Sequence, residues 1–548
     1  MNSLQGNIKF VVAIDFGTIS SGYAYAHNPS SSLEEITVEN KWDGFTGYKT
    51  PKIIRYQDDY STVKSWGFSA LPSRPKKKTN DNSKLIELFK LFLFKDLMEK
   101  PSLPDKLDYK KVITDYLSEL GKMIKDKLHT FMQRLDFYSQ VLIVITIPVE
   151  FDDDAIETMR DCAFNAGLMK KRDSECLRFI TEPEAAAVYC LNFSENKLKP
   201  GDSFIVVDCG GGTVNLTRHE FLGDNQISEI TESTSGNCGS SLIDKKFIEL
   251  LRRKLGDPII ELLEGHYNLL QYMVQEFCNE VKESFTEEKS EFNRYEINLN
   301  NYSSLKDIIR DAKERGLLRE ADCLIWVEFN DVRGMFDPLI NKIIDLIKGQ
   351  LTQQISKKCS AIMLVGGFSE SEYLQGRIKK EFNNFVSNIS VPKQPMIAVL
   401  KGGVQYGLQV GTVVNRVLRR TYGTDIIRRS MPGDPASQML PNGYTIIFDA
   451  LAGRGKQILV NQKVVRKFKP HSIMQPSIGF DLYVTSANNA KFCNDPGVKL
   501  LRLWEIELPD DYEDITILFT ITFGTVEILA TAENQKTGEK YHVKVKYE

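Results

Sequence analysis

Near the middle of the chain lies the segment Ser203-Phe-Ile-Val-Val-Asp208-Cys-Gly210-Gly211-Gly212-Thr213-Val-Asn215-Leu-Thr217. It begins as an apolar run of the kind found in strands buried on both faces, and a second strand-like run follows the glycines. Successive amides in a glycine turn form a nest for phosphate oxygens, and a carboxylate at the strand end suits Mg²⁺. The segment therefore predicts a phosphate-binding hairpin with Asp208 as a metal ligand. The alternative is a glycine-bulged hairpin without a ligand.

A second copy of this pattern stands near the N-terminus, where an apolar run leads into Ile14-Asp15-Phe16-Gly17-Thr18. Because acid, glycine and threonine recur in the same order, we expect two phosphate hairpins that face each other across a cleft. Asp15 and Asp208 would hold Mg²⁺ through water, while the turns at Gly17–Thr18 and Gly210–Thr213 would hold phosphate. A branched side chain at Gly211 would fill the phosphate space and resist a positive φ. The two copies together predict a nucleotide site.

Length and composition describe a globular protein of more than one domain. The chain has 548 residues, of which 42% are apolar and 26% are charged, enough for about three or four domains. Its net charge of −3 gives no reason to expect nucleic acid binding. Its apolar runs are too short for a membrane span or a secretory signal, and its nine cysteines include no CxxC pair. We therefore expect an intracellular protein, either cytoplasmic or cytoplasmic and nuclear.

The order of strand and helix patterns predicts the domain organisation. Helical periodicity predicts one helix over Ser83–Leu97, which contains Lys90, and another over residues 398–415. From Thr421 onward, short strands with Gly, Pro and Asn turns replace the helices, and residues 516–522 and 526–532 predict a hairpin. We expect a nucleotide-binding domain over residues 1–415, a linker over 416–423 and an all-β domain over 424–548.

Four further positions complete the predicted site. Gly366 and Gly367 follow a buried strand, and their bare backbone would let an adenine or a ribose lie close to it. Glu182 begins an alanine-rich helix, where it would either orient an attacking water or complement the helix dipole. Lys90 would contact phosphate, or it is an ordinary solvated lysine. Phosphoryl transfer needs mainly positioning and charge neutralisation, and these residues would supply both.

These motifs resemble the DnaK-type, seventy-kilodalton heat-shock chaperones, whose nucleotide-binding part has the actin-like ATPase fold. Besides the two hairpins, the shared motifs are Ile147-Pro148, Thr181-Glu182-Pro183-Glu184 and Leu364-Val-Gly366-Gly367-Phe-Ser369, in the family's order. Gly236-Asn-Cys-Gly239-Ser-Ser241 and Arg419-Arg-Thr-Tyr-Gly423 are similar to the divergent twelfth branch. The resemblance implies an α/β chain with a duplicated actin-like fold, two lobes around a nucleotide cleft, followed by a C-terminal β-sandwich.

The resemblance implies ATP or ADP with Mg²⁺ as cofactor, and no nucleic acid or membrane span. It also implies an unfolded peptide or client protein as partner, and a nucleotide-exchange or co-chaperone partner. The candidate residues are, for catalysis, Lys90, Glu182 and Asp208; for Mg²⁺, Asp15 and Asp208; and for nucleotide binding, Asp15, Gly17, Thr18, Gly210, Gly211, Gly212, Thr213, Gly239, Lys282, Gly366 and Gly367. Within this set, Lys282 is assigned by resemblance alone, as an adenosine contact.

Several positions depart from the family pattern. Asn215 replaces an aspartate two residues after the glycine-loop threonine, so a charge near the metal is lost and hydrolysis should be slow. Asn279 and Glu283 replace an acidic and a basic adenosine contact. The segment Val413–Gly423 is basic where the family has an apolar and acidic linker, and the sequence ends at Glu548, before any helical lid.

Two functions stay open on the sequence alone. The first is an ATP-binding, chaperone-like protein with slow Mg²⁺-dependent hydrolysis, weakly coupled to peptide binding. The second is a nucleotide-gated binding or scaffold protein with little or no ATPase activity. A sugar kinase on the same fold is a third alternative, because a fold does not by itself imply a function.

Overall fold

The computed structural model describes residues 6–28, 35–71, 85–95, 100–191, 198–265, 267–302, 310, 313, 316, 323–353, 357–409, 411–470, 475–487, 489–508, 515–524 and 526–544. They form mixed α/β structure in the first part of the chain and antiparallel sheets in the last part. No helix in these residues is long and apolar enough to cross a lipid bilayer.

The strands follow one another along the chain in three groups. The first group is β1 (Phe10–Phe16), β2 (Ser20–His27), β3 (Thr37–Val38), β4 (Lys41–Trp42), β5 (Phe45–Thr46), β6 (Thr50–Pro51), β7 (Ile53–Tyr56), β8 (Val63–Trp66), β9 (Leu85–Glu87), β10 (Val141–Ile147) and β11 (Leu177–Thr181). The second group is β12 (Ser203–Cys209), β13 (Val214–Gly223), β14 (Gln226–Glu229), β15 (Thr234–Gly236), β16 (Tyr295–Asn298), β17 (Leu324–Val327), β18 (Cys359–Val365), β19 (Asn388–Ser390) and β20 (Val413–Val417). The third group is β21 (Thr421–Arg429), β22 (Tyr444–Ala452), β23 (Gln457–Leu459), β24 (Gln462–Phe468), β25 (Ser477–Gly479), β26 (Leu482–Thr485), β27 (Val498–Arg502), β28 (Glu505–Glu507), β29 (Ile517–Phe523), β30 (Ile528–Asn534) and β31 (Lys540–Lys544).

The helices lie between the strands of the first two groups. The α-helices are α1 (Tyr109–Phe131), α2 (Phe137–Gln140), α3 (Asp153–Asn165), α4 (Glu182–Cys190), α5 (Ser241–Leu255), α6 (Asp257–Gly265), α7 (Tyr267–Phe277), α8 (Phe329–Thr352), α9 (Glu372–Phe382) and α10 (Ala398–Leu408). A π-helical turn, Cys278–Lys282, follows α7, and a 3₁₀ turn, Gly367–Glu370, follows β18.

The two largest sheets have the same strand order. In one sheet β11, β10, β1, β2 and β3 lie side by side, and in the other β19, β18, β12, β13 and β14 do. β1 runs parallel to β10 and antiparallel to β2, just as β12 runs parallel to β18 and antiparallel to β13. Because a glycine turn closes each antiparallel pair, Asp15 and Asp208 occupy equivalent positions near the ends of β1 and β12.

Both faces of each central strand are buried, which explains why β1 and β12 read as continuous apolar runs. Alternate residues of β1 pack on α1 and α3, and alternate residues of β12 pack on α5 and α8. The remaining residues of both strands share one apolar core with α4 and α10. This shared core holds the two sheets against each other.

Helix α10 ends earlier than the sequence predicted. It stops at Leu408, and residues 413–417 form β20 instead of continuing a helix to residue 415. Gly411 has φ +96°, a conformation that breaks a helix, and the β-branched residues after it pair with β14. The glycines inside α10 serve close packing, because a Cβ at Gly402 would overlap the carbonyl oxygen of Ala185 in α4.

The predicted helix over Ser83–Leu97 is wrong in the part that the structure describes, residues 85–95. β9 pairs there with β7, and a 3₁₀ turn over Phe89–Leu93 follows Leu88, which has φ +58°. The apolar side chains satisfied a helical pattern, but a single 3₁₀ turn also places them on one buried side. As a result, Lys90 is only 1% exposed instead of solvated.

The last part of the chain forms two four-stranded antiparallel sheets that share one apolar cluster. Their strand orders are β22-β21-β26-β27 and β24-β29-β30-β31. Buried and half-buried residues alternate along β29, as in a strand with one face on the core. The predicted hairpin is confirmed, since β29 pairs with β30 and Phe523 lies opposite Ile528.

The strand β20 connects this last part to the second large sheet. It runs parallel to β14, where Ile227 pairs with Val413, and antiparallel to β23, where Arg416 pairs with Ile458. Residues 416–423, the expected linker, therefore lie partly in β20 and partly in β21. The domain limits at residues 415 and 424 stay a prediction.

Candidate functional site

One cavity of about 580 Å³ lies where the two large sheets approach each other. The glycine turns after β1 and β12, the loop after β18 and the π-helical turn contribute to its wall. Of the positions expected from sequence, the cavity is lined by Asp15, Gly17, Thr18, Lys90, Glu182, Asp208, Gly210, Gly211, Gly212, Thr213, Lys282, Gly366 and Gly367. The structure therefore brings residues from distant parts of the sequence to one place.

Gly239 stands behind the glycine turn rather than in the cavity wall. Its amide donates a hydrogen bond to the Gly212 carbonyl over 3.2 Å, and the Ser241 amide donates to the Gly211 carbonyl over 2.9 Å. A Cβ at Gly239 would overlap the backbone of Gly211. Gly239 thus shapes the turn through its backbone.

The two glycine turns contact each other directly. A Cβ at Gly212 would lie 2.9 Å from the Thr18 hydroxyl oxygen, and one at Gly211 would overlap the Ile19 side chain. None of the three glycines of the second turn, Gly210, Gly211 and Gly212, has a positive φ. The expected positive φ at Gly211 is therefore wrong. Gly211 and Gly212 are required for space, because a side chain at either position would push the two turns apart.

An ion pair that the sequence did not reveal lies at the end of β1. Lys49 Nζ donates to Asp15 Oδ2 over 2.5 Å, and Thr146 Oγ1 donates to Asp15 Oδ1 over 3.4 Å. Burial lowers the pKa of Lys49, but the charges of Asp15, Asp208 and Glu182 outweigh this effect and raise it. Lys49 therefore stays an ammonium ion in the cavity wall. Nothing in its local sequence marks it, since a lysine before a short strand is usually solvated.

A second ion pair holds the carboxylate at the start of α4. Lys90 Nζ lies 2.7 Å from Glu182 Oε1, and both side chains are buried. Asn215 Nδ2 donates to the other oxygen, Glu182 Oε2, over 3.5 Å. At the position where the resembled family has a negatively charged aspartate, this chain thus has a neutral amide that donates a hydrogen bond.

Asp208 interacts electrostatically with the charged groups of both pairs. Burial first, and then the negative charges of Glu182 and Asp15, raise the pKa of Asp208 well above its ordinary value. Gly366 has φ +84°, and a Cβ there would come within 2.5 Å of Asp208 Oδ1. The glycine after β18 is therefore required beside Asp208, whereas a Cβ at Gly367 would have ordinary contacts with Met396.

The acidic residues fit the expected two-carboxylate magnesium site only in part. A buried carboxylate among other negative charges favours a cation, so Asp208 suits that role. Asp15 fits less well, because the Lys49 ammonium group already bonds Oδ2 and leaves only Oδ1 for a metal-bound water, so its metal role stays a prediction. Within the described ranges, no three His, Cys, Asp or Glu side chains converge closely enough to hold a metal ion.

The cavity wall also carries apolar side chains and further acidic side chains. Phe336, Phe368 and Met396 line it together with Glu283 and Glu370. Burial raises the pKa of Glu370, and the negative charge of Glu283 raises it further. Glu283 was noticed in the sequence as a departure, but Glu370 was missed because only folding brings the two carboxylates near each other.

Lys282 also lines this wall, as expected for an adenosine contact. Its Nζ lies 2.6 Å from Asp244 Oδ1, and Cys278 Sγ lies 3.2 Å from the same oxygen. The lysine is thus held by α5 at the cavity edge, and its role toward a nucleotide stays a prediction.

Comparisons with known proteins extend over nearly the whole chain. A family model described as a domain of unknown function, DUF8340, matches residues 198–391. Heat shock 70 kDa protein 12A of Mus musculus is 26% identical, over 100% of this chain and 92% of its own length. Heat shock 70 kDa protein 12B of Homo sapiens is 24% identical, over 99% and 92% respectively. The chaperone protein DnaK of Carsonella ruddii is 23% identical, over 86% and 79%.

Proposed function

The chain is a relative of the seventy-kilodalton heat-shock proteins, similar over nearly its whole length to proteins 12A and 12B, and from this premise we propose that it binds ATP or ADP as a chaperone-like protein. The observation that carries the proposal is that the two glycine turns contact each other and line the same cavity as Lys49, Lys90 and Asp208. Backbone amides and lysine ammonium groups are the donors that phosphate oxygens need.

The proposed arrangement is a two-lobed, actin-like cleft. The repeated strand order of the two large sheets and their shared core support it. Phosphates would lie between the turns at Thr18 and Thr213, and the base would lie toward Gly366, Gly367 and Lys282. A divalent cation, when bound at Asp208, would neutralise phosphate charge.

We propose that hydrolysis is slow. Glu182 would orient water, but its carboxylate is held by Lys90 and by the Asn215 amide. An aspartate at position 215 would instead carry a negative charge that attracts a cation to the space near the phosphates. This arrangement also supports the alternative function, a nucleotide-gated binding or scaffold protein with little ATPase activity.

The last part of the chain would form a β-sandwich that binds an unfolded peptide or client protein. Two antiparallel sheets around one apolar cluster support the sandwich. Extended peptides bind such sheets through backbone hydrogen bonds at an edge or loop. A nucleotide-exchange or co-chaperone partner follows from the same relationship. The compartment, expected to be the cytoplasm or the cytoplasm and nucleus, stays a prediction.

Calorimetric titration with ADP and single-turnover hydrolysis of ATP, with and without an unfolded peptide, test these proposals. Nucleotide binding with slow hydrolysis that the peptide accelerates would support the chaperone-like function. Nucleotide binding without measurable hydrolysis would support the scaffold alternative. Failure to bind either nucleotide with Mg²⁺ present would refute both.

A further inference from the structure

We propose that the Lys49 ammonium group replaces part of the divalent cation's charge, so that ATP or ADP binds with little dependence on Mg²⁺. This inference rests on the proposed nucleotide function and specifies how the same cavity would neutralise phosphate. Its basis is the ion pair between Lys49 and Asp15, one of the two carboxylates expected to hold the metal.

The position of Lys49 is built into the sheet. β6 pairs with β2, so that Thr50 lies opposite Ser21, and the Lys52 amide donates to the Ile19 carbonyl over 2.7 Å. These backbone bonds fix the chain immediately after Lys49. A flexible surface lysine has no such restraint, so the ammonium group is directed to the end of β1 by the fold.

A glycine provides the space for the lysine stem. Gly22 lies directly opposite Asp15 in the pairing of β1 with β2. A Cβ at Gly22 would be 3.1 Å from Lys49 Cγ and 2.8 Å from the Tyr48 carbonyl oxygen. The bare backbone at Gly22 therefore lets the lysine pass beside Asp15, and the side chain is only 12% exposed.

The charges around the glycine turns are nearly balanced by the protein itself. Two ammonium groups, on Lys49 and Lys90, are paired with Asp15 and Glu182. In the part of the chain that the structure describes, Asp208 is the acidic group beside these turns that forms no ion pair. Asn215 adds no charge. Magnesium is usually bound by one or two carboxylates together with waters and phosphates, and among the carboxylates named here Asp208 is the one without an ammonium partner.

Phosphate would therefore meet lysine charge directly. Lysine is a common phosphate ligand because its compact ammonium group acts as a point charge with three donors. Lys49 and Lys90 both line the cavity together with the glycine turns. A nucleotide phosphate that shares these ammonium groups with Asp15 and Glu182 gains part of its charge neutralisation without a metal ion.

The test is the affinity for ADP, measured by calorimetry in Mg²⁺ and again in EDTA. For the native chain we expect the two dissociation constants to agree within about threefold. Lys49→Met keeps the length and apolar volume of the stem but removes the charge. It should weaken binding in EDTA by about tenfold or more, and Mg²⁺ should restore part of the loss.

Lys41→Met is the matched control, because Lys41 is an exposed lysine on β4 and does not line the cavity. It should bind ADP like the native chain in both buffers. Thermal unfolding of each variant without nucleotide shows whether Lys49→Met is folded. If that variant is unfolded, Lys49→Gln, whose neutral amide can still donate a hydrogen bond to Asp15, takes its place in both buffers.

The outcomes separate this inference from the proposed function. Equal affinities in Mg²⁺ and EDTA, lost with Lys49, support the inference. Binding that disappears in EDTA overturns it and leaves nucleotide binding intact. If the native chain binds ADP equally well in both buffers and Lys49→Met binds it just as tightly in EDTA, the inference is also overturned, since another group then supplies the charge. Absence of binding in both buffers overturns the proposed function itself.

Discussion

Gly402 in α10 lies directly against the carbonyl oxygen of Ala185 in α4, so closely that a Cβ at Gly402 would overlap this oxygen. Helix α4 begins at Glu182, which lines the nucleotide cavity. The approach of two helices far apart in sequence thus helps to position the carboxylate beside Lys90. A glycine is required because only bare backbone allows this distance.

Gly402→Ala should therefore destabilise the protein and displace α4. Overpacking of a core typically costs about 1–3 kcal/mol, and contact with rigid backbone should place this change at the upper end. Denaturant unfolding measures the cost. Gly334→Ala in α8, where a Cβ meets nothing within 4 Å, is the control and should be neutral or stabilising by up to about 1 kcal/mol. Equal stability of both variants would contradict this interpretation.

Gly211→Val should abolish nucleotide binding. The side chain would collide with Ile19 and separate the glycine turns that are proposed to enclose phosphate. Calorimetry with ADP measures the effect. Gly349→Val, on α8 where the added Cβ is unobstructed, controls for the loss of a glycine. Unchanged affinity in the Gly211 variant would show that phosphate lies elsewhere.

Asn215→Asp should raise the single-turnover rate of ATP hydrolysis in Mg²⁺. The new carboxylate would stand near Glu182 and Asp208 and would favour a cation there, since negative charges in a buried site attract one. Without Mg²⁺ the same charge should weaken nucleotide binding through repulsion. A rate equal to that of the native chain would mean that the missing charge is not what limits hydrolysis.

Glu229 should make the stability depend on pH. Burial, and then the charge of Glu184, raise the pKa of Glu229 from 4.5 to about 8, although the Val417 amide donates to it over 2.9 Å. The folded protein therefore binds this proton more tightly than the unfolded chain does. Its contribution to the free energy of unfolding should be complete below about pH 4.5, fall as the pH rises, and level off above about pH 8.

Glu229→Gln tests this dependence, since the amide keeps the shape but cannot ionise. The free energy of unfolding, measured with denaturant between about pH 5 and about pH 8, should change less with pH in the variant than in the native chain. Each unit of difference between the folded and unfolded pKa of Glu229 corresponds to about 1.4 kcal/mol. Glu296→Gln, an exposed position on β16, should follow the native profile. Parallel profiles for all three proteins would show that Glu229 does not carry the effect.

Arg416→Met should destabilise the packing of β20 against α4. Arg416 forms an ion pair with Glu184, which is buried and also accepts from Thr181 Oγ1 over 2.7 Å. Removal of one partner of a buried pair leaves an uncompensated charge and typically costs about 3–5 kcal/mol. Thermal and denaturant unfolding measure the loss.

The control for this ion pair is Lys246→Met, which removes a pair with Glu249 on the exposed side of α5. Exposed pairs contribute at most about 1 kcal/mol, so that variant should unfold like the native chain. A double variant, Arg416→Met with Glu184→Gln, should be less destabilised than the sum of its single changes. Simple additivity would exclude the pair as the cause.

Much of the fold could be predicted because its signals are local. The apolar runs of β1 and β12, the glycine turns after them and the hairpin of β29 with β30 depend on period and turn chemistry within a few residues. The helix predicted around Phe89–Leu93 was wrong because an apolar run of that length fits both an α-helix and a 3₁₀ turn. The predicted end of α10 at residue 415 was wrong because the positive φ of Gly411 and the pairing of β20 with β14 outweigh helical periodicity there.

By itself, the sequence determined the two repeated hairpins, the order of the motifs and the resemblance to the heat-shock family, which the relatives of the whole chain confirm. Only the tertiary structure decided which charges meet: Lys49 with Asp15, Lys90 with Glu182, and Glu283 with Glu370. Turn chemistry acts between neighbours in the chain, whereas these pairs join residues from distant segments. Their distances are set by the pairing of β6 with β2, by the 3₁₀ turn after β9 and by the packing of α7 and α8 with the loop after β18, and no local pattern encodes them.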